Sequence, residues 1–194
     1  MRKINVGVIG DAGIERDSEL YFLAENLGKT LIDNNYRIIS GGMSGIMEAV
    51  AKGAKNSSNY TDGSYIGILP GFDPSISNKF ADVVIPTGLD TYRNAIVANS
   101  DIVVAMGGRA GTLSEIAFAW TFKRMILAYD VVGWSGKLAG TRIDDRKRIE
   151  WDGDRVFKVK NEKDVIETIN NYYHFYNKRY IGLYTELIKN NYKI

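Results

Sequence analysis

One stretch constrains this chain more than any other: Asp101–Glu115, DIVVAMGGRAGTLSE. Ile102–Met106 is an unbroken apolar run of the length a strand takes when it is buried on both faces. Such strands belong to parallel sheets covered by helices, so this run points to an α/β architecture. The run breaks at Gly107 and Gly108 and passes Arg109, Ala110 and Gly111. It then opens into a helix predicted from Thr112 to about Phe122, with Leu113, Ile116, Ala117 and Trp120 facing inward. A strand, a glycine turn and a helix N-terminus in succession can hold an anion. Glycines let backbone N–H groups approach a phosphate, and the helix end adds roughly half a positive charge.

The remaining sequence repeats the alternation. Ile4–Ile9 is a predicted strand ending at Gly10-Asp11-Ala12-Gly13. A helix follows from about Asp17 to Asn34, with Leu20, Leu23, Ala24, Leu27 and Leu31 at helical spacing. Tyr36–Ser40 is a second strand, Gly41-Gly42-Met43-Ser44-Gly45 a second glycine turn, and residues 45–55 a helix burying Ile46, Met47, Val50, Ala51 and Ala54. Further strands are predicted at Tyr65–Leu69, Ala81–Ile85, Met125–Tyr129 and Arg155–Val159. Asp90 or Thr91 can cap a helix running to about Asn99. Helices are predicted at Asn161–Asn177 and within about residues 178–190. Val131–Asp154 is glycine-bearing and then charge-dense; its length marks a functional or mobile excursion rather than a plain connection. The expected fold is one nucleotide-binding domain over 1–194: doubly wound, Rossmann-like α/β, with a parallel sheet of about seven strands and helices on both faces. Ligands of such sheets bind at the strands' carboxyl ends, where strand order reverses, so the turns at 41–45 and 107–111 are expected to share one crevice.

Composition narrows the chemistry. A net charge of +2 is too small to argue for nucleic acid, so any anion site is local. With no cysteine and a single histidine, His174, there is no disulfide, no thiolate metal site and no triad without His174. No His/Asp/Glu grouping has metal-ligand spacing. No apolar run approaches the ~20 residues of a membrane span, and MRKINVGVIG lacks the apolar core of a signal peptide, so a cytoplasmic protein without membrane contact is expected. Gly7–Gly13 does not fit G-x-G-x-x-G. Gly28-Lys29-Thr30 mimics the end of a P-loop, but Leu23 stands where the loop needs glycine and the site lies inside a helix.

Two readings of the key residues stay open on spacing alone. Thr112-Leu113-Ser114-Glu115 has the form of a capping box, in which Thr112 bonds the Glu115 N–H and Glu115 reaches back. The spacing favours this cap over the alternative, a catalytic carboxylate at Glu115. Arg93 and Arg109 can be solvated surface residues or anion ligands.

The two glycine motifs, GGMSGIM at 41–47 and GGRAGTLSE at 107–115, with Arg93 between them, run in the order of a known superfamily. The chain resembles the SLOG/LOG-like proteins. These include the cytokinin-activating nucleoside 5′-monophosphate phosphoribohydrolases, often mislabelled lysine decarboxylases, and the molybdenum cofactor carrier proteins. Leu69-Pro70-Gly71, Ile85-Pro86-Thr87-Gly88, Arg93-Asn94, Lys137–Gly140 and Asp144-Asp145 are similar to the carrier branch. The resemblance implies that Gly107, Gly108, Gly111 and Thr112, with Arg109 beside them, hold a phosphate, and that Gly41, Gly42 and Gly45 line the same crevice. It implies a purine nucleotide such as AMP, or a molybdopterin-type cofactor, as the bound small molecule, with no further cofactor required. In the hydrolase branch Arg93 and Glu115 match the pair that acts on the ribose. The chain departs from that branch at Met106, where proline is usual, and at Asp90–Asn94, where a Met-His-x-Arg-Lys stretch is usual. Nothing marks the Schiff-base lysine of a decarboxylase. A homodimer or larger homo-oligomer is expected, from the resemblance and from the tyrosine-bearing C-terminal helical face.

Overall fold

The computed structural model describes residues 2–176. Seven strands form one parallel sheet in the order β4-β3-β2-β1-β5-β6-β7. They are β1 (Asn5–Gly10), β2 (Arg37–Ser40), β3 (Tyr65–Leu69), β4 (Val83–Pro86), β5 (Ile102–Met106), β6 (Met125–Tyr129) and β7 (Val156–Val159). The helices are α1 (Glu19–Asp33), α2 (Ile46–Lys55), α3 (Asn94–Ala98), α4 (Ala110–Thr121), α5 (Trp134–Leu138) and α6 (Glu162–Tyr172). The expected doubly wound architecture is therefore the observed one. β1 pairs with both β2 and β5, so successive connections run outward in opposite directions from that point.

Each sheet face has its own core. Val6, Val8, Ile38, Val104 and Leu127 pack under α1, α2 and α6; Ile9, Val103, Ala105 and Ile126 pack under α3, α4 and α5. β5 and β6 are buried at every position, as their unbroken apolar character requires. Gly28, in the P-loop look-alike, has a packing role. A Cβ there would stand 2.1 Å from the Val50 carbonyl oxygen, and one at Gly53 would stand 1.8 Å from that of Glu25. The two glycines let α1 and α2 cross almost backbone to backbone.

Several boundaries differ from expectation for local reasons. α1 starts after Ser18, whose hydroxyl accepts the Tyr21 N–H. The predicted helix from 90 to 99 divides into a 3-10 turn, Asp90–Arg93, and the short α3. α6 ends at Tyr172 and tightens into a 3-10 turn through Tyr176. His174 lies exposed in that turn, against the Phe175 ring. The tyrosines of this turn of chain pack on the fold itself. Tyr172 stacks on Trp151 and Phe157, and Tyr176 is buried with its hydroxyl donating to Asp154 at 2.6 Å. The helical segment expected within 178–190 lies outside the described residues.

The 131–154 excursion contains α5 and then irregular chain. Its distal part is fastened by a buried Arg148–Asp154 ion pair at 2.6 Å and by Trp151, which stacks against Phe175 at 4.3 Å between ring centroids. Among the described residues no helix is long and apolar enough to cross a membrane.

Candidate functional site

At the carboxyl ends of β1 and β5, where the strand order reverses, lies a crevice of about 350 Å³. That lies within the ~300–1,000 Å³ range of small-molecule sites and at the position where doubly wound sheets bind ligands. Four segments form its walls: the β1–α1 loop with Asp11, the β2–α2 turn with Gly41 and Met43, the Arg93-Asn94 pair, and the first turns of α4 with Arg109, Gly111, Thr112 and Glu115. The two glycine turns thus do reach one crevice, along with Arg93.

Their glycines divide by task. Gly41 and Gly111 line the cavity; Gly42, Gly45, Gly107 and Gly108 stand behind its walls. Gly45 has φ of 64°, and a Cβ there would meet the Asp11 carbonyl oxygen at 2.3 Å, so the β2–α2 turn rests directly on the β1–α1 loop. Gly108 has φ of 86°, and a Cβ would stand 2.1 Å from Thr112 Oγ1. The Gly107 N–H is already committed, donating to Ser135 Oγ at 2.7 Å.

Ser135, from the excursion, was not legible as a site residue. It is fully buried, receives the Gly107 N–H and donates to the Tyr129 carbonyl at 2.8 Å. The Trp134 and Ser135 N–H groups donate to the Gly108 and Gly107 carbonyls. The β5–α4 turn is therefore held from behind by residues some 25 positions later. The β2–α2 turn has a similar brace. Asn78 Nδ2 donates to the Gly42 carbonyl at 3.0 Å and to the Met43 carbonyl at 3.2 Å. Ser40 Oγ accepts the Gly42 N–H and also bonds the buried Tyr65 hydroxyl. Burial pushes the Tyr65 hydroxyl up to about 12, so it keeps its proton as a donor. Only glycine spacing is visible in sequence; these braces come from remote positions.

α4 begins at Ala110, with Arg109 as its N-cap and no side-chain cap bond. This corrects the capping-box expectation. Thr112 and Glu115 lie in the first and second turns of the helix, and the Glu115 carboxylate lines the crevice wall and pairs there rather than reaching back to the helix start. It pairs with Arg93, Nη1 to Oε1 at 3.3 Å, and both side chains are about 9% exposed. Gly41 makes the pairing possible: a Cβ there would be 2.5 Å from Arg93 Nη2. The structure gives Arg93 Nη1 a partner and leaves the buried Nε–H without one among the described residues. Arg109 stands at the rim, 88% exposed, in a long ion pair with Asp11, Nε to Oδ2 at 3.9 Å. The start of α4, at Gly111 and Thr112, lines the same space, so the helix N-terminus adds partial positive charge to a lining that also holds Asp11 and Glu115.

Burial raises the Glu115 carboxyl to about 7, with the Arg93 charge acting in the opposite direction. Burial also lowers the Arg93 guanidinium from its usual value, against the pull of Glu115; a guanidinium still stays protonated. The native state therefore binds a proton at Glu115 that the unfolded chain has released. Unfolding free energy is expected to fall as pH rises from about 4.5 through about 7, and Glu115→Gln is expected to flatten that dependence. Urea melts of both proteins across that interval check this; equal slopes would contradict the buried placement of Glu115.

Comparison with known proteins agrees with this fold. A protein-family model described as the SLOG cluster4 family matches residues 3–166. An uncharacterised protein of Archaeoglobus fulgidus is 41% identical over 120 residues, 61% of this chain and 75% of that one. Among solved structures, the molybdenum cofactor binding protein of Rippkaea orientalis superposes with a TM-score of 0.71 at 28% identity, covering 88% of this chain and 98% of that one. The molybdenum cofactor carrier protein of Chlamydomonas reinhardtii does so with 0.69 at 26%, covering 87% and 98%.

Proposed function

The chain belongs to the SLOG cluster4 family, and from that membership we propose that it binds and carries a phosphorylated, nucleotide-like small molecule in the β1/β5 crevice. One observation carries the reading. A cavity of about 350 Å³ at the topological switch point brings together the α4 N-terminus, Arg109, the open Gly111 and the under-committed Arg93. Phosphate is the group these elements suit: the helix N–H groups and the exposed Arg109 head at the rim, with Thr112 alongside. A purine or pterin ring would then extend over Gly41 and Met43.

Similarity to proteins named for the molybdenum cofactor supports a pterin-type cargo. Purine nucleoside monophosphates share the phosphate and the fused ring and are the accessible probes.

A second reading, nucleoside 5′-monophosphate phosphoribohydrolase, is favoured by a specific observation: Glu115 lines the crevice beside Arg93 and holds its proton near neutrality. In that reaction water adds to C1′ of the ribose as the C1′–N bond breaks, the base leaves with a proton, and ribose 5-phosphate remains. Glu115 would exchange the proton and offset positive charge developing on the ribose, while Arg93 holds the sugar or phosphate. Incubation with AMP separates the two readings. The carrier reading expects binding without adenine release. Release of adenine and ribose 5-phosphate that disappears in Glu115→Gln would replace it with the hydrolase.

A further inference from the structure

The lining of the crevice carries Arg109 and the head of α4, both suited to an anion, yet it also holds two carboxylates. Glu115 is answered by Arg93 at 3.3 Å. Asp11 has no ion-pair partner so close. Its Oδ1 accepts the Gly13 N–H at 2.8 Å, while Oδ2 takes no hydrogen bond among the described residues and lies 3.9 Å from Arg109 Nε. The side chain keeps 26% of its surface exposed, and the residue lines the cavity. A carboxylate beside a phosphate repels it, so Asp11 weakens any anionic ligand that brings it no donor.

Asp11 is also fixed in place from both sides. Its N–H donates to the Met106 carbonyl at 3.3 Å, at the end of β5, and its own carbonyl accepts the Ile46 N–H at 3.0 Å, at the start of α2. The bond from the Gly13 N–H closes an Asx turn that sets the side chain as well. The uncommitted Oδ2 is therefore an acceptor pre-organised between the two glycine turns, and the ordering cost of meeting a ligand donor there is small.

Strand order decides which part of a ligand reaches that oxygen. β1 lies between β2 and β5. With the phosphate at the β5–α4 turn and the fused ring over Gly41 and Met43 of the β2–α2 turn, the span between them crosses the end of β1, where Asp11 stands. In a nucleoside 5′-monophosphate that span is the sugar, and its hydroxyls are the donors it offers. We propose that Asp11 accepts a hydrogen bond from a ribose hydroxyl, so that the crevice selects ribonucleotides over their deoxy counterparts. The assignment rests on the phosphate placement proposed above and narrows the class of ligand. Carboxylates are the acceptors that recognise ribose hydroxyls in other nucleotide-binding sheets.

Calorimetric titration of the full chain in EDTA with AMP, 2′-deoxy-AMP and 3′-deoxy-AMP tests the proposal. The wild type is expected to bind AMP about tenfold or more tighter than at least one deoxy analogue, the scale of a hydrogen bond to a charged acceptor. Asp11→Asn keeps an oxygen for the Gly13 N–H and removes the charge; in a variant that melts like wild type it is expected to erase that ratio. Equal wild-type affinity for all three nucleotides would overturn the assignment while leaving the phosphate site standing. So would a ratio unchanged in folded Asp11→Asn, or AMP binding that appears only when Mg²⁺ replaces EDTA, which would make Asp11 a cation ligand. Binding of none of the three would remove the phosphate site and this assignment with it.

Discussion

Arg148→Ala is expected to lower the unfolding free energy by about 3–5 kcal/mol, the range for removing one partner of a buried ion pair. Arg148 is 4% exposed and Asp154 1%. The guanidinium makes a bidentate contact, Nε to Oδ2 at 2.9 Å and Nη2 to Oδ1 at 2.6 Å. Nη1 donates to the Trp120 carbonyl at 2.8 Å, and the guanidinium lies 3.5 Å from the centroid of the Trp120 ring. Tyr176 adds its hydroxyl to Asp154. Alanine would leave Asp154 buried with the tyrosine as its remaining side-chain partner, and would strip the Trp120 face and carbonyl. It would also loosen the distal excursion, leaving the Trp151 stack on Phe157 and Phe175 as its hold on β7 and the α6 end. Arg146→Ala, at a pair whose arginine is 71% exposed, is the control, expected to cost under about 1 kcal/mol. Guanidinium melts measure both; a loss below about 1 kcal/mol for Arg148→Ala would contradict the buried-network account.

The charge-dense IDDRKR stretch shows how sequence and fold diverge. Its composition resembles a solvated loop, and Asp144 and Arg146 do lie at the surface. Arg148 does not, because its acceptor is six residues on and its stacking partner is in α4, neither at a spacing any local rule covers. Elements with strong local signals were legible to the residue: β3, β5 and β6 occupy the predicted positions, because turn residues bound their apolar runs sharply. β4 was placed two residues early at Ala81, since its exposed side chains blur the burial pattern that marks its neighbours. The start of α4 was placed at Thr112 because Thr-x-x-Glu has the form of a cap; in the structure Glu115 instead pairs with Arg93, 22 residues away in sequence, leaving Arg109 to cap the helix through its backbone alone.

The crevice was legible in outline for the same reason. Glycine turns after buried strands are local, and the strand alternation implies the switch point that gathers them. What holds the turns, Ser135 behind Gly107 and the Tyr65, Ser40 and Asn78 set behind Gly42, depends on tertiary contacts and has no sequence signature. Arg93 stood out only through family resemblance; its contact with Glu115 also needs the missing Cβ of Gly41. The same geometry changes which substitution is informative. A side chain at Gly108 would strain the backbone and strike Thr112, so loss of binding there would report on folding. Gly111 has no such burden.

Gly111 lines the crevice in the first turn of α4, and nothing lies within 4 Å of the position a Cβ would take. Gly111→Asp therefore costs no packing, relieves a helical glycine and sets a carboxylate at a helix N-terminus, so stability should hold or rise by about 0.5–1 kcal/mol. For an anionic ligand the effect reverses. The carboxylate takes the anion's place on the free N–H groups and repels it by about 3 kcal/mol at ~5 Å and an effective dielectric near 20, roughly a hundredfold in affinity. The most direct measurement is calorimetric titration of wild type and Gly111→Asp with AMP and GMP, alongside thermal melts of both. The account expects wild-type binding of at least one nucleotide and a loss of about a hundredfold in a variant that melts no lower than wild type. A wild type that binds neither, or a folded variant that binds as tightly as wild type, would contradict a phosphate site at the head of α4.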